Sequence, residues 1–157
     1  MVFLCLAAAV FILDHFIKSY VDAHCPQGFH KEVFGGRLIL RNHHNPHGAF
    51  ELFKGRERLG EALSTGALLS VSWDLLRLLF SKGRKLEKVG LGLALGGGLN
   101  NLYNKKVKGY VNDYFSFGVK KERLKKTVFN LSDMSIFLGV LFYLTGQIIS
   151  LCGEKEK

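Results

Sequence analysis

Apolar residues run through this chain in four blocks, and the stretches between them are polar. Residues 2–13 are uninterrupted apart from Cys5, itself apolar in behaviour. Residues 62–80 are mostly apolar, with Asp74 and Arg77 near the far end, and 89–99 hold only Val, Leu, Ala and Gly, extended by Leu102 and Tyr103. Residues 134–152 close the set. A membrane-crossing helix needs about 20 mostly apolar residues. The second and fourth blocks come close; the first does if it runs on to Val21, and the third if it begins at Leu86. The pattern predicts a mainly α membrane protein with four transmembrane helices, at about 2–21, 61–80, 86–103 and 133–152. The stretch 24–58 has another character. "EVF" and "RLILR" are strand-like on either side of "GG", and "NHHNPHG" is a second loop signal. A small antiparallel β platform is expected there, on the membrane surface, with 1–157 forming a single membrane domain.

Charge refines this picture. The 157 residues carry a formal net charge of +9. "SKGRKLEK", between the second and third blocks, is a short, dense basic loop of the kind that stays in the cytoplasm. That puts both termini inside and residues 24–58 and 104–130 outside. The outer loops are basic too, through "NKKVKG" and "KKERLKK", which lowers the weight of the signal and suits anionic membrane lipids. Nucleic acid is not the expected partner, because no aromatic residues interleave the lysines. A cleaved leader is the rival reading of the first block, but no basic residue precedes it and no small-x-small site follows.

The polar side chains narrow the chemistry. Three cysteines without paired spacing give neither a disulfide framework nor a zinc site. His24, His30, His43, His44 and His47 crowd one stretch, yet they lack metal-ligand spacing, and His43 and His44 would point to opposite sides of a strand. No metal or cofactor is expected. Gly90, Gly92, Gly96, Gly97 and Gly98 lack the ending of a phosphate loop and instead suit close helix contacts. Asp14 and Lys18 stand four residues apart, acid before base, and pair on one helix face, either as structural support or near the chemistry.

Two acids remain. Asp113, in "GYVNDYFSF", and Asp133, at the start of the fourth block, fall at the same membrane face if the third and fourth helices are antiparallel neighbours. Two adjacent carboxylates in a low dielectric share a proton, and one can act as base while the other acts as acid. The competing reading makes Asp133 a helix cap or dipole partner, although Ser132 or Asn130 could cap as well.

The order of motifs resembles that of the bacterial lipoprotein signal peptidase (signal peptidase II) family, from Asp14 to about Tyr143. The family's D-x-x-x-K is similar to Asp14 and Lys18 in "LDHFIKSYV", and N-x-G-A-x-F to "NPHGAF", with Asn45 and Phe50 matched. G-G-A-L-G-N-L-x-D-R is similar to "GGGLNNLYNK", with Asn101 matched; G-x-V-x-D-[FY] to "GYVNDY"; and F-N-[LIV]-[AS]-D to "FNLSD". The resemblance implies catalytic roles for Asp113 and Asp133, and substrate-binding or supporting roles for Asn45, Asn101, Asn130, Asp14 and Lys18. Departures are Asn104 and Lys105 for the D-R pair, Asn100 for a Gly, and His47 and Gly48 for Gly and Ala.

What the resemblance implies is an aspartic endopeptidase that removes signal peptides from diacylglyceryl-modified prolipoproteins, without a metal. It would act in the bacterial cytoplasmic membrane, with its active site at the extracytoplasmic face, as a monomer. The alternatives are a catalytically inactive relative serving as a membrane interaction protein, and a small transporter, for which no paired repeats are visible.

Overall fold

The computed structural model describes residues 1–46 and 55–154, so His47, Gly48 and Phe50 of the matched loop lie outside the described residues. Four long helices carry the fold: α1 (Val2–His24), α2 (Glu57–Leu79), α3 (Lys85–Lys108) and α5 (Leu131–Glu154). A short helix, α4 (Glu122–Lys126), and three strands, β1 (His30–Val33), β2 (Leu38–Asn45) and β3 (Val111–Phe117), complete it. At 1.5 Å per residue, 23 or 24 residues reach about 35 Å, enough for the hydrocarbon core. Among the described residues three helices, over Val2–His24, Arg58–Leu79 and Leu131–Cys152, are long and apolar enough to cross a membrane.

The long helix outside that set, α3, packs against α1, α2 and α5. Its glycines explain how. A methyl on Gly90 would lie 2.5 Å from the Gly139 carbonyl oxygen of α5, and one on Gly96 would collide with the Ala7 carbonyl oxygen of α1. Only a bare Cα allows such backbone approach. Because neighbours rather than lipid surround α3, it keeps Glu87, Lys88, Asn100 and Asn104 buried. The helix ends at Gly109, whose φ of 80° suits the left-handed cap, with its N–H on the Lys105 carbonyl. It therefore runs five residues past the expected end.

At the opposite end of α3, Arg84 binds Glu87 (3.0 Å) and the Gln147 side chain (2.9 Å). Ser150 donates to Glu87 (3.0 Å), and Lys88 to the Ser81 carbonyl (2.6 Å). This polar lock joins the α2–α3 turn to the last helix.

The platform is a three-stranded antiparallel sheet in the order β1-β2-β3. Two strands come from the expected stretch; the third does not. Residues 111–117 form an edge strand drawn from beyond α3, and the chain from 55 onward belongs to the approach to α2. Between Leu40 and His43 the β2–β3 register shifts, which gives β2 one extra residue. After the bulge His43 lies opposite Asp113, His44 opposite Asn112 and Asn45 opposite Val111.

Candidate active site

The site forms where α5 begins. Asn130 precedes the helix, and its Oδ1 accepts the Asp133 backbone N–H at 2.9 Å. Asp133 Oδ2 reciprocates by accepting the Asn130 N–H at 3.1 Å. This is a capping box, which satisfies two helix-end donors. Asp133 therefore does the job that the competing reading gave it. Only one carboxylate oxygen is used for that, however. Its Oδ1 turns outward and accepts Asn101 Nδ2 at 2.8 Å.

The same Asn130 reaches the other acid. With its oxygen held by the helix, its Nδ2 donates to Asp113 Oδ1 at 2.7 Å. Asn45 donates to Asp113 Oδ2 at 3.1 Å. One fully buried asparagine thus touches both acids, and β2, β3, α3 and α5 meet around the pair. Asp113 is 3% exposed. Burial, then the neighbouring Asp133 charge, push its carboxyl up to about 7, against the opposing hydrogen bonds from Asn45 and Asn130 and the Lys18 charge.

Behind Asp133 lies a continuous polar chain. Lys18 sends its ammonium to Asp14 Oδ2 (2.7 Å), Asn100 Oδ1 (2.8 Å) and Asn101 Oδ1 (2.6 Å). Three acceptors use all three N–H bonds. Because Asn101 gives its oxygen to Lys18, its amide N–H must face Asp133. Asp14 closes the far end: it accepts Tyr114 Oη–H (2.8 Å), the Ser132 N–H (3.3 Å) and the Ser132 hydroxyl. Tyr114 accepts the Leu131 N–H at 2.9 Å. Asp14 and Lys18 are both fully buried, so each needs this number of partners.

The structure thus brings together Asp14, Lys18, Asn45, Asn101, Asp113, Asn130 and Asp133. It adds Tyr114, Ser132 and Asn100, none of which the sequence singled out as a site residue. Asn100, one of the departures, is fully buried; it accepts from Lys18 and donates to the Phe11 carbonyl (2.8 Å). Asn104 donates to the Asn100 carbonyl (2.9 Å) and side-chain oxygen (3.0 Å), so the two departures support each other. Lys105 donates to the carbonyls of Pro46 and Gly109. A second cluster lies nearby, where Asp22 binds His44 (2.9 Å) and Lys108 (2.7 Å), and Tyr110 stacks on the His44 ring (3.9 Å between centroids). Among the described residues no three His, Cys, Asp or Glu side chains converge to hold a metal ion.

A family profile described as Signal peptidase (SPase) II matches residues 6–149. A lipoprotein signal peptidase of Lactiplantibacillus plantarum is 30% identical over 154 residues, covering 98% of this chain and 99% of its own. One from Caldicellulosiruptor bescii is 31% identical, covering 99% and 95%. A solved structure described as a bacterial membrane enzyme superposes with a TM-score of 0.81 at 20% identity, over 99% of this chain and 93% of its own. A second gives 0.73, also at 20% identity, over 96% and 92%. At that identity the two structures speak for the fold.

Proposed function

We propose that this chain, which belongs to the signal peptidase II family, removes signal peptides from diacylglyceryl-modified prolipoproteins as an aspartic endopeptidase. The observation that carries the catalytic type is the Asn130 side chain and backbone shared between Asp113 and Asp133. Two carboxyls held by one residue in a buried setting keep a single proton between them.

With a carboxyl at about 7, Asp113 carries that proton at and below neutral pH. Asp133, ionised, draws a proton from water as the water oxygen attacks the scissile carbonyl, and Asp113 protonates the carbonyl oxygen. The resulting diol collapses: Asp133 returns its proton to the leaving amine, the C–N bond breaks, and Asp113 takes back a proton from a hydroxyl. Asn45 and Asn101 hold the two acids in position. The Asp14–Lys18 pair supplies a positive charge near Asp133 without adding net charge to the core.

In this reading the sheet end of the bundle is the extracytoplasmic face of the bacterial cytoplasmic membrane, where the lipid anchor on the substrate keeps the cut site. Both acids come from one chain, which supports a monomer acting as a single membrane domain over 1–157. Anionic lipids surround the basic outer loops. The non-enzymatic alternative gains nothing from the site, since both acids and their asparagine partners remain in contact.

The test is cleavage of a lipid-modified precursor by the protein in vesicles. Asp113→Asn and Asp133→Asn, each checked for insertion and folding, are expected to lose about 10²–10⁴-fold in rate. Parent-like cleavage by either variant would remove the shared-proton mechanism while leaving family membership intact.

A further inference from the structure

We infer that the tip of the β1–β2 hairpin is a membrane anchor: Phe34 inserts into the head-group layer of an anionic phospholipid bilayer, inside a collar of basic side chains. Phe34 is 80% exposed. It also has a φ of 53°, a left-handed backbone that bulky side chains rarely adopt. The turn closes through Gly36 N–H to the Val33 carbonyl (3.1 Å), and the next two residues are glycines. Glycine would suit position 34 as well, so the exposed ring is held there against both solvation and backbone preference.

Exposed apolar side chains on the long helices are accounted for by lipid tails. That account does not reach the sheet. Leu38 pairs with Phe117, and Gly118 N–H donates to the Arg37 carbonyl at 2.8 Å, so the hairpin tip and the exit of β3 form one edge. On that edge Phe117 and Val119 are 39% and 40% exposed. Arg37, Lys120 and Lys121 are exposed beside them. The local acids are Glu32, whose carboxylate folds back against Gly36, and Glu122 in the first turn of α4. Aromatic and aliphatic groups ringed by Lys and Arg are the makings of an interfacial anchor, and the excess positive charge selects anionic lipid. The bilayer is already at hand, because the sheet joins the helices that span it. The inference rests on the membrane fold and not on the proteolytic reading.

The single tryptophan makes the test direct. In a Trp73→Phe background, Phe34→Trp places the only indole at the tip of the full-length protein. In vesicles containing phosphatidylglycerol its emission should shift to the blue, brominated lipid should quench it, and acrylamide quenching should fall relative to phosphatidylcholine vesicles. Arg37→Gln, Lys120→Gln and Lys121→Gln together should reverse all three. A nitroxide on Phe34→Cys, with the other cysteines replaced, reports the same depth if the tryptophan variant folds poorly. Phe34→Gly should raise the melting temperature in detergent. Acrylamide access equal in both lipids, with no quenching by bromines, would overturn the anchor. So would shielding that appears only with added precursor polypeptide, or that rises with protein density as a second copy would produce.

Discussion

Asn130 caps α5 and also binds Asp113, and the two contacts can be separated. Its oxygen serves the first turn of α5 while its nitrogen serves Asp113. Asn130→Ser keeps a capping oxygen but cannot span to Asp113. We expect it to stay close to the parent in thermal unfolding yet lose precursor cleavage, whereas Asn130→Ala should also lose about 0.5–2 kcal/mol of stability. Asp113 itself opposes folding. Its carboxyl is raised from 3.8 to about 7 in the fold, so the folded state binds the proton more tightly than the unfolded chain does. The resulting penalty is absent below pH 3.8, grows as pH rises, and is complete above about 7. Asp113→Asn should therefore melt higher than the parent at pH 8, by an amount on the order of a few kcal/mol at most, and show little gain at pH 4. At this scale the sequence spoke through its motifs: both acids and their asparagines were legible. Tyr114 and Ser132 were not, because their task is to satisfy Asp14, more than 90 positions upstream. Nothing local records such a partner.

Among the elements α3 decides the packing. The Gly90–Gly139 contact works in both directions: a methyl on either glycine would meet the carbonyl oxygen of the other at 2.5 Å. Backbone cannot step aside as a side chain can, so Gly90→Ala must push α3 and α5 apart. A loss of roughly 1–3 kcal/mol is expected, read as a lower melting temperature in detergent, with precursor cleavage falling as Asn101 draws away from Asp133. The helices were readable from hydropathy because lipid rewards continuous apolar runs. The third strand was not. "VNDYFSF" turns Asn112, Tyr114 and Ser116 to one side and Asp113, Phe115 and Phe117 to the other, and all but Phe115 and Phe117 are buried. A strand whose first four residues, Asp113 among them, are enclosed on both faces shows no alternation of polar and apolar positions there.

For the whole molecule, buried polar side chains gather towards the two ends of α3. Of the basic residues that marked the α2–α3 turn, Arg84 and Lys88 are bound within the fold, so fewer remain to act as a topological signal than the sequence suggested. The two candidate acids lie at the other end, where burial pushes the Asp113 carboxyl up to about 7. Above that, the form with both acids ionised accumulates, and kcat/KM for precursor cleavage should fall about tenfold per pH unit. A profile flat from pH 6 to 9 would contradict proton sharing.

The origin of the site's parts along the chain has a consequence for biogenesis. Asn45, Asn101 and Asp113 precede Asn130 and Asp133 in synthesis, and the second acid takes its place only when α5 is formed. On the proposed mechanism a nascent protein is inert until α5 forms, and hydrolytic competence arrives with insertion of that helix. A half-made protease therefore has no opportunity to cut its neighbours at the translocon.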